Sequence, residues 1–349
     1  MPINFPPLKA RPATLADWVE FRALSDPRFF FRLSRLKRAW DTHRESEDSD
    51  PGGDQKSEGD TDGDGVSGAD EDAFLDAITE ELSERATVLG GAYPFEISEG
   101  GLRFSVRNPL PVSGYCYIFC LLLSHPRAGD ITNETWLPEI DHTVRDLFQA
   151  CSTLAAAGHV AGCAISFGWP RPDNNPPFLT RLREVYALFG EGTVREVPLA
   201  GASPFVKDEE IDVIAWAPRP DAVGTTYLLG QVASGEDWDG KSVVNGIPYF
   251  HETWFSQIPA SRPLASMFIP HTVTAVGEGT RRDRVAVLAA RFGMIFDRLR
   301  LPELARKGIV LADEEGNGLY IERRGDVDRM VTWVGNQIKA LRASGEAPV

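Results

Sequence analysis

Lysine is scarce in this chain, with seven residues in 349: Lys9, Lys37, Lys56, Lys207, Lys241, Lys307 and Lys339. Lys and Arg together number 36 against 51 acids, a formal charge of −15. Taken as an average, that excess argues against a phosphate-rich partner, because phosphate contacts need cations. Cysteine is scarcer still. Cys116, Cys120, Cys151 and Cys163 form no C-x-x-C pair and have no zinc-like spacing to histidine, which excludes a disulfide framework and leaves buried thiols as the expectation. Long apolar runs are missing. The longest, Tyr115 to Leu123, is nine residues, against the roughly 20 needed to span a bilayer. Pro2, Pro6 and Pro7 fit no signal-peptide pattern, so a cytoplasmic, reducing location without a membrane is expected. Walker A, G-x-G-x-x-G and G-x-S-x-G arrangements are absent, and His251-Glu252 has Phe255 where H-E-x-x-H needs its second histidine.

What is present changes the reading of the charge. Between Asp41 and Asp72 stand thirteen acids against Arg44 and Lys56, which is −11 of the −15 and leaves −4 for the other 317 residues. That stretch, rich in Gly, Ser and Asp, cannot bury enough apolar surface to offset chain entropy and reads as a disordered insertion. Within it Asp60, Asp62, Asp64, Gly65 and Glu71 match an EF-hand calcium loop, although Ser67 sits where the loop expects a hydrophobe and Gly52 to Gly59 cannot form an entering helix. Two arginine-rich stretches remain elsewhere: Arg28 to Arg38, with Arg32, Arg35 and Lys37, and Arg281 to Lys307, opening on Arg281, Arg282 and Arg284. Each reads either as the solvated face of a helix or as a phosphate-binding surface.

Hydrophobic residues at 42% and aromatics at 10% suffice for a sizeable core over two domains or more. Residues 1–140 read as an α+β region: a helix capped at Thr14, continuing with a break at Pro27 to Trp40; a helix through Phe74, Ile78, Leu82 and Leu89; and a hairpin around Glu99-Gly100-Gly101. Residues 141–270 read as a core. It holds helices over Asp141 to Ala157 and Phe178 to Phe189, strands over Ile211 to Trp216, Thr225 to Val232 and Leu264 to Ile269, and Trp238 and Trp254 as packing residues. Residues 271–349 read as a helical and β extension: one long helix over Arg281 to Arg300, strands near Gly308 to Leu311 and Gly318 to Ile321, and a closing helix over Met330 to Leu341.

An acid inside a strand is costly unless it is paired, hydrated or bound to a cation, so Asp212 is the residue to explain. Gln231 lies at the corresponding end of the next strand. The run Lys207-Asp208-Glu209-Glu210-Ile211-Asp212-Val213-Ile214-Ala215-Trp216, followed by Leu228-Leu229-Gly230-Gln231-Val232-Ala233-Ser234-Gly235, resembles the core of PD-(D/E)xK nucleases, the restriction-endonuclease-like fold, in its Mrr-like branch. The resemblance covers about Asp141 to Phe250. It implies an α/β fold with a central mixed sheet flanked by helices, and Mg²⁺-dependent cleavage of DNA, Mn²⁺ substituting, in restriction or defence against foreign DNA. It also implies a partner protein from a defence operon and self-association. The metal would be held by Asp212, Gln231, the Val232 carbonyl and Glu210, with Asp208 in reserve.

The chain departs from the family's pattern at three places. Ala233 replaces the lysine of the (E/Q)-x-K element, so Lys241, or failing it Lys207, has to supply the ammonium. Gln149 stands where the upstream helix often carries a Glu. Arg281, Arg282, Arg284, Arg32, Arg35 and Lys37 are the expected phosphate contacts. Two alternatives stand beside this reading: a nuclease fold that has lost cleavage and binds DNA or a partner, and an interaction protein whose acidic insertion mimics DNA or binds calcium.

Overall fold

A computed structural model describes residues 2–39, 68–98, 103–171, 176–203, 206–219, 223–277 and 279–345, with side chains in the helix beginning at Gly68 described from Ala73 onward. The acidic stretch and Asp60, Asp62, Asp64 and Gly65 of the calcium-loop match lie outside these residues. Glu71 falls at the start of a helix.

The chain divides into two units whose boundaries differ from the three expected segments. The first comprises residues 1–110, 127–137 and 338–349, and the second 111–126 and 138–337. The expected core and most of the expected extension therefore belong to one unit, because the sheet recruits a strand from beyond residue 270.

In the first unit, α1 (Pro12–Ser25) starts with Pro12 in its first turn, so Thr14 lies inside the helix rather than at its cap. The expected continuation is broken by the strand β1 (Phe30–Arg32) before a short helix α2 over residues 34–39. Arg32 thus sits on a strand and Arg35 and Lys37 on a separate helix, all three exposed. The helix α3 (Gly68–Leu89) precedes the hairpin of β2 (Phe95–Ile97) and β3 (Arg103–Val106), and β3 is the centre of an antiparallel β1-β3-β2 sheet. A buried guanidinium organises this unit: Arg85 donates to Asp17 at 2.5 Å, Glu20 at 3.0 Å and Glu81 at 2.8 Å, while the Tyr93 hydroxyl donates to Glu20. Burying so many charges is tolerable because each is paired.

The second unit opens with α4 (Val112–Leu123), which absorbs the longest apolar run and is buried through almost its whole length. Next, α5 (His142–Val160) is capped by Asp141, whose carboxylate accepts from the Val144 N–H at 2.9 Å. Five strands form a mixed sheet in the order β10-β9-β7-β6-β4. Its members are β4 (Cys163–Ser166), β6 (Val213–Trp216), β7 (Tyr227–Val232), β9 (Pro263–Phe268) and β10 (Met294–Phe296). The first three pair antiparallel and the last three parallel. A separate two-stranded ribbon joins β5 (Thr193–Val194) to β8 (Phe255–Gln257).

The sheet is covered on both faces. α5 packs on one, and α6 (Phe178–Phe189) and α7 (Gly246–Trp254) on the other, where Phe178, Tyr186, Phe189, Phe250 and Trp254 meet Ile165, Ile214, Tyr227 and Leu229. The Trp254 indole donates to Glu209. Trp238 is partly buried against Phe292.

The single helix expected over Arg281 to Arg300 is instead α8 (Arg281–Phe292), β10 and then α9 (Leu301–Asp313), split where Gly293 takes φ 76°. The strand expected at Gly308 to Leu311 is part of α9. Gly308 serves there as a contact point, since a Cβ on it would stand 1.9 Å from the Leu154 carbonyl oxygen of α5. Residues 320–322 run beside β4, with Ala164 N–H donating to Tyr320 and Glu322 N–H to Ala164, both at 3.0 Å. α10 (Val327–Gly345) closes the chain. All four cysteines are buried and free, and no described helix is long and apolar enough to cross a membrane.

Candidate active site

Asp212 does not lie within β6 but immediately before it, at the mouth of the β6–β7 pair. Its backbone still joins the ladder: its N–H donates to Gly230 at 2.8 Å, and its carbonyl accepts from Phe167 at 2.7 Å and Gly168 at 3.1 Å. The carboxylate turns inward, and Oδ2 accepts from the Val232 N–H at 2.7 Å. From α5, Gln149 donates to Ser166 Oγ at 2.9 Å and to the Asp212 carbonyl at 3.4 Å. A Cβ placed on Gly168 would stand 2.3 Å from Asp212 Oδ1 and 2.7 and 2.9 Å from the Gln149 amide nitrogen and oxygen. Glycine at 168 is what lets one carboxylate oxygen and one amide oxygen converge on the same spot.

Burial pushes the Asp212 carboxyl from 3.8 up to about 7. The Val232 N–H opposes this, Asp208 and Glu210 reinforce it, and the Lys241 ammonium draws it down. Asp208 anchors the preceding turn, accepting from Trp169 N–H at 3.1 Å and Glu210 N–H at 3.0 Å. Glu209 and Glu210 hold left-handed φ values of 52° and 63° within it, a conformation that costs an ordinary residue of order 1 kcal/mol or more.

The residues expected beside Asp212 divide. Lys241 is exposed, yet its segment is tied to the end of α8 by Ser242 Oγ donating to the Arg291 carbonyl and Arg291 donating to that of Asp239. Val232 offers Asp212 its N–H, which takes up one carboxylate oxygen. Glu210 is exposed, and Lys207 is likewise at the surface.

Gln231 is placed differently from the expectation. Side chains alternate along a strand, so Gln231 shares the face of Tyr227 and Leu229, away from α5, where its Oε1 is buried without a hydrogen-bond partner. Ala233, two residues on, is buried among Met267, Ile269, Leu288 and Phe292. A lysine there would enter a hydrophobic cluster.

The basic candidates also separate. Arg281 is committed to the buried Asp297 at 2.6 Å, which itself accepts from Val273 N–H. Arg282 is exposed and Arg284 partly so. Arg32, Arg35 and Lys37 belong to the other unit.

Sequence reasoning missed several neighbours. Arg145 on α5 donates to Ser234 Oγ at 3.0 Å, just beyond β7. Arg323 reaches Asp146 with two bonds, at 2.9 and 2.6 Å, and Asp326 with a third at 2.6 Å. Glu322 accepts from the Ser166 N–H at 3.0 Å and pairs with Arg181. The one available signal was spacing, since Arg145, Asp146 and Gln149 share a helix over one turn; the partners 177 residues away left none.

Among the described residues no three His, Cys, Asp or Glu side chains are grouped so as to hold a metal ion. The chain matches no known protein family, no curated protein and no solved structure.

Proposed function

We propose that the second unit is a metal-dependent phosphodiesterase of the PD-(D/E)xK type, acting on DNA, with Asp212 as its central residue. The observation that carries this reading is the Asp212 carboxylate itself: withdrawn from water, served by a single N–H, and facing the Gln149 amide across Gly168. A structural acid would be expected to have an Arg or several N–H groups around it, as Asp297 has. The connectivity α5, β4, β6, β7, α7, β9 supports the same assignment, since the family resemblance implies a helix, an antiparallel trio and a parallel fourth strand. The alternative with a specific observation behind it is the fold that binds DNA without cutting, favoured by Gln231 and Ala233 facing the core.

The donor set fits a hard cation, though thinly. Magnesium takes oxygen ligands, keeps several waters, and is often held by one or two carboxylates plus substrate phosphate. Asp212 Oδ1 and the Gln149 amide oxygen would hold it, with Gln149 here in the place expected of Gln231. Such a cation supplies an activated water and neutralises charge on the phosphate. Ser166 orients Gln149, the Val232 N–H fixes the Asp212 carboxylate, and Lys241 favours its ionised form. With Ala233 in place of lysine, Lys241 and Arg145 are the cations available to the developing phosphate charge.

The test is cleavage of plasmid and linear DNA by the whole chain with Mg²⁺ or Mn²⁺, beside Asp212→Asn, Lys241→Met and Arg145→Met. Cleavage that disappears in Asp212→Asn supports the assignment. Lys241→Met is expected to slow the reaction about tenfold, the effect of roughly 1.4 kcal/mol at the barrier. Activity indifferent to Asp212 removes the site. Binding without cleavage by the wild-type chain favours the alternative.

A further inference from the structure

Beside Asp212 lies a second feature that metal-assisted hydrolysis does not use. The loop after β4 carries Trp169, 42% exposed, and Arg171, which is buried. A large aromatic left in water on a well-anchored loop calls for an explanation. The Arg171 guanidinium lies 5.5 Å from the Trp169 ring, 5.1 Å from Phe167 and 5.8 Å from Phe178, and donates to the Pro176 carbonyl at 3.1 Å. The indole therefore rests on a fixed cationic shelf. Its backbone N–H is held by Asp208, and Phe167 and Gly168 of the same loop donate to the Asp212 carbonyl.

Pro170 and Arg171 then form one wall of a cavity of about 440 Å³, whose other walls are Asp146, Glu322, Arg323, Asp326 and Arg329. That size lies within the roughly 300–1,000 Å³ range of sites for single small organic groups. The lining alternates guanidinium donors with carboxylate acceptors, and its net charge is near zero. It is thus poorly suited to a bare anion or cation and well suited to a neutral ring edged with both donors and acceptors.

We infer that Trp169 and this cavity bind a nucleobase, presented by an unpaired strand next to the phosphate at Asp212. The inference rests on the proposed phosphodiesterase reading and adds to it a preference for unpaired DNA. Trp169 supplies the stacking face, and Arg329, exposed and paired only at its Asp326 side, supplies donors for the base edge. Stacking of this kind tolerates any base, because every base has a π-face.

The test is equilibrium binding of the whole chain to a fluorescein-labelled oligothymidylate and to a blunt duplex, in EDTA so that nothing is cleaved. Trp169→Ala is expected to weaken single-strand binding about 5- to 100-fold, the range for losing one stacked base. Trp169→Phe should retain most of it, and duplex binding should stay unchanged. Because Trp169 is exposed, thermal melts of the variants should superimpose on the wild type. Arg329→Ala should weaken single-strand binding as well. Thymidine monophosphate as competitor separates the sources: displacement assigns the cavity to free nucleotides, and no displacement assigns it to a strand. If Trp169→Ala binds the single strand as the wild type does, or loses duplex and single strand equally, the base site is wrong while the cleavage assay stands on its own. A wild-type chain that neither binds nor cleaves overturns both.

Discussion

Replacing Gly308 by leucine will destabilise the second unit by about 3 kcal/mol or more, and Gly158→Leu will do the same, because both positions sit where two helices touch through their backbones. A Cβ on Gly308 would lie 1.9 Å from the Leu154 carbonyl oxygen and 2.7 Å from its carbon, and a Cβ on Gly158 would lie 2.0 Å from the Leu304 oxygen. These obstacles are main chain in α5 and α9, so no rotamer change relieves them; the helices must separate, and overpacking of that kind costs about 1–3 kcal/mol or more. The loss opposes the ordinary helical preference, which favours alanine over glycine by about 0.8–1.0 kcal/mol. A matched control sharpens the result. Gly335, inside α10, has nothing within 4 Å of its added Cβ, so Gly335→Ala should stabilise by about 0.5–1 kcal/mol. Urea unfolding of the variants reads both signs. If Gly308→Leu unfolds at the wild-type midpoint, α5 and α9 are not in contact at this point. Since α5 also carries Arg145, Asp146 and Gln149, a separated pair should weaken any activity together with stability.

The same two helices mark where sequence reading succeeds and where it stops. α5 and α6 were legible because each has an apolar stripe at helical spacing and a terminator, Asp141 in front of one and Gly190 behind the other. The pair β6 and β7 was legible from apolar runs flanking a Pro and Gly turn. Other features depend on what lies opposite. An apolar pattern over Arg281 to Arg300 contains no local sign that Met294 to Phe296 pairs with Ser266 to Phe268, and Gly308 reads as a breaker until a second helix is seen against it. At the site, the acid was found from the cost of burying it. Its companion was misplaced because Asp212 precedes β6, so the face it addresses is set by the α5 side chains and by Gly168 rather than by β7 alternation. Arg323, Glu322 and Trp169 come from segments that meet only in the folded chain, and no periodicity announces them.

Asp212→Asn is expected to lower metal-dependent cleavage by about 10²–10³-fold or more, as loss of a central electrostatic group does, and yet to raise stability at alkaline pH. The two halves have one cause. Asp212 titrates at about 7 in the fold against an ordinary 3.8, so the folded chain holds its proton more tightly than the unfolded chain. Stability linked to this group is therefore fully present below about pH 4, falls as pH rises, and is lost once pH passes about 7. At 1.36 kcal/mol for each tenfold change in proton affinity, the ionised carboxylate costs the fold up to about 4 kcal/mol. Asparagine keeps an oxygen for the Val232 N–H and carries no charge, so its advantage over the wild type should be near zero at low pH and grow through neutrality to a plateau. Thermal melts at acid and alkaline pH measure this directly. Mg²⁺ supplies the converse, because a cation that binds only the folded, ionised site stabilises it by mass action; adding it at alkaline pH should raise the wild-type melting temperature and leave Asp212→Asn unmoved. A substitution penalty that is the same at every pH, with no response to Mg²⁺, would make Asp212 a structural acceptor for Val232 and leave the second unit without its proposed centre. A carboxylate that burdens the fold when charged and is relieved by a cation is the physical pattern of a site kept for chemistry rather than for stability.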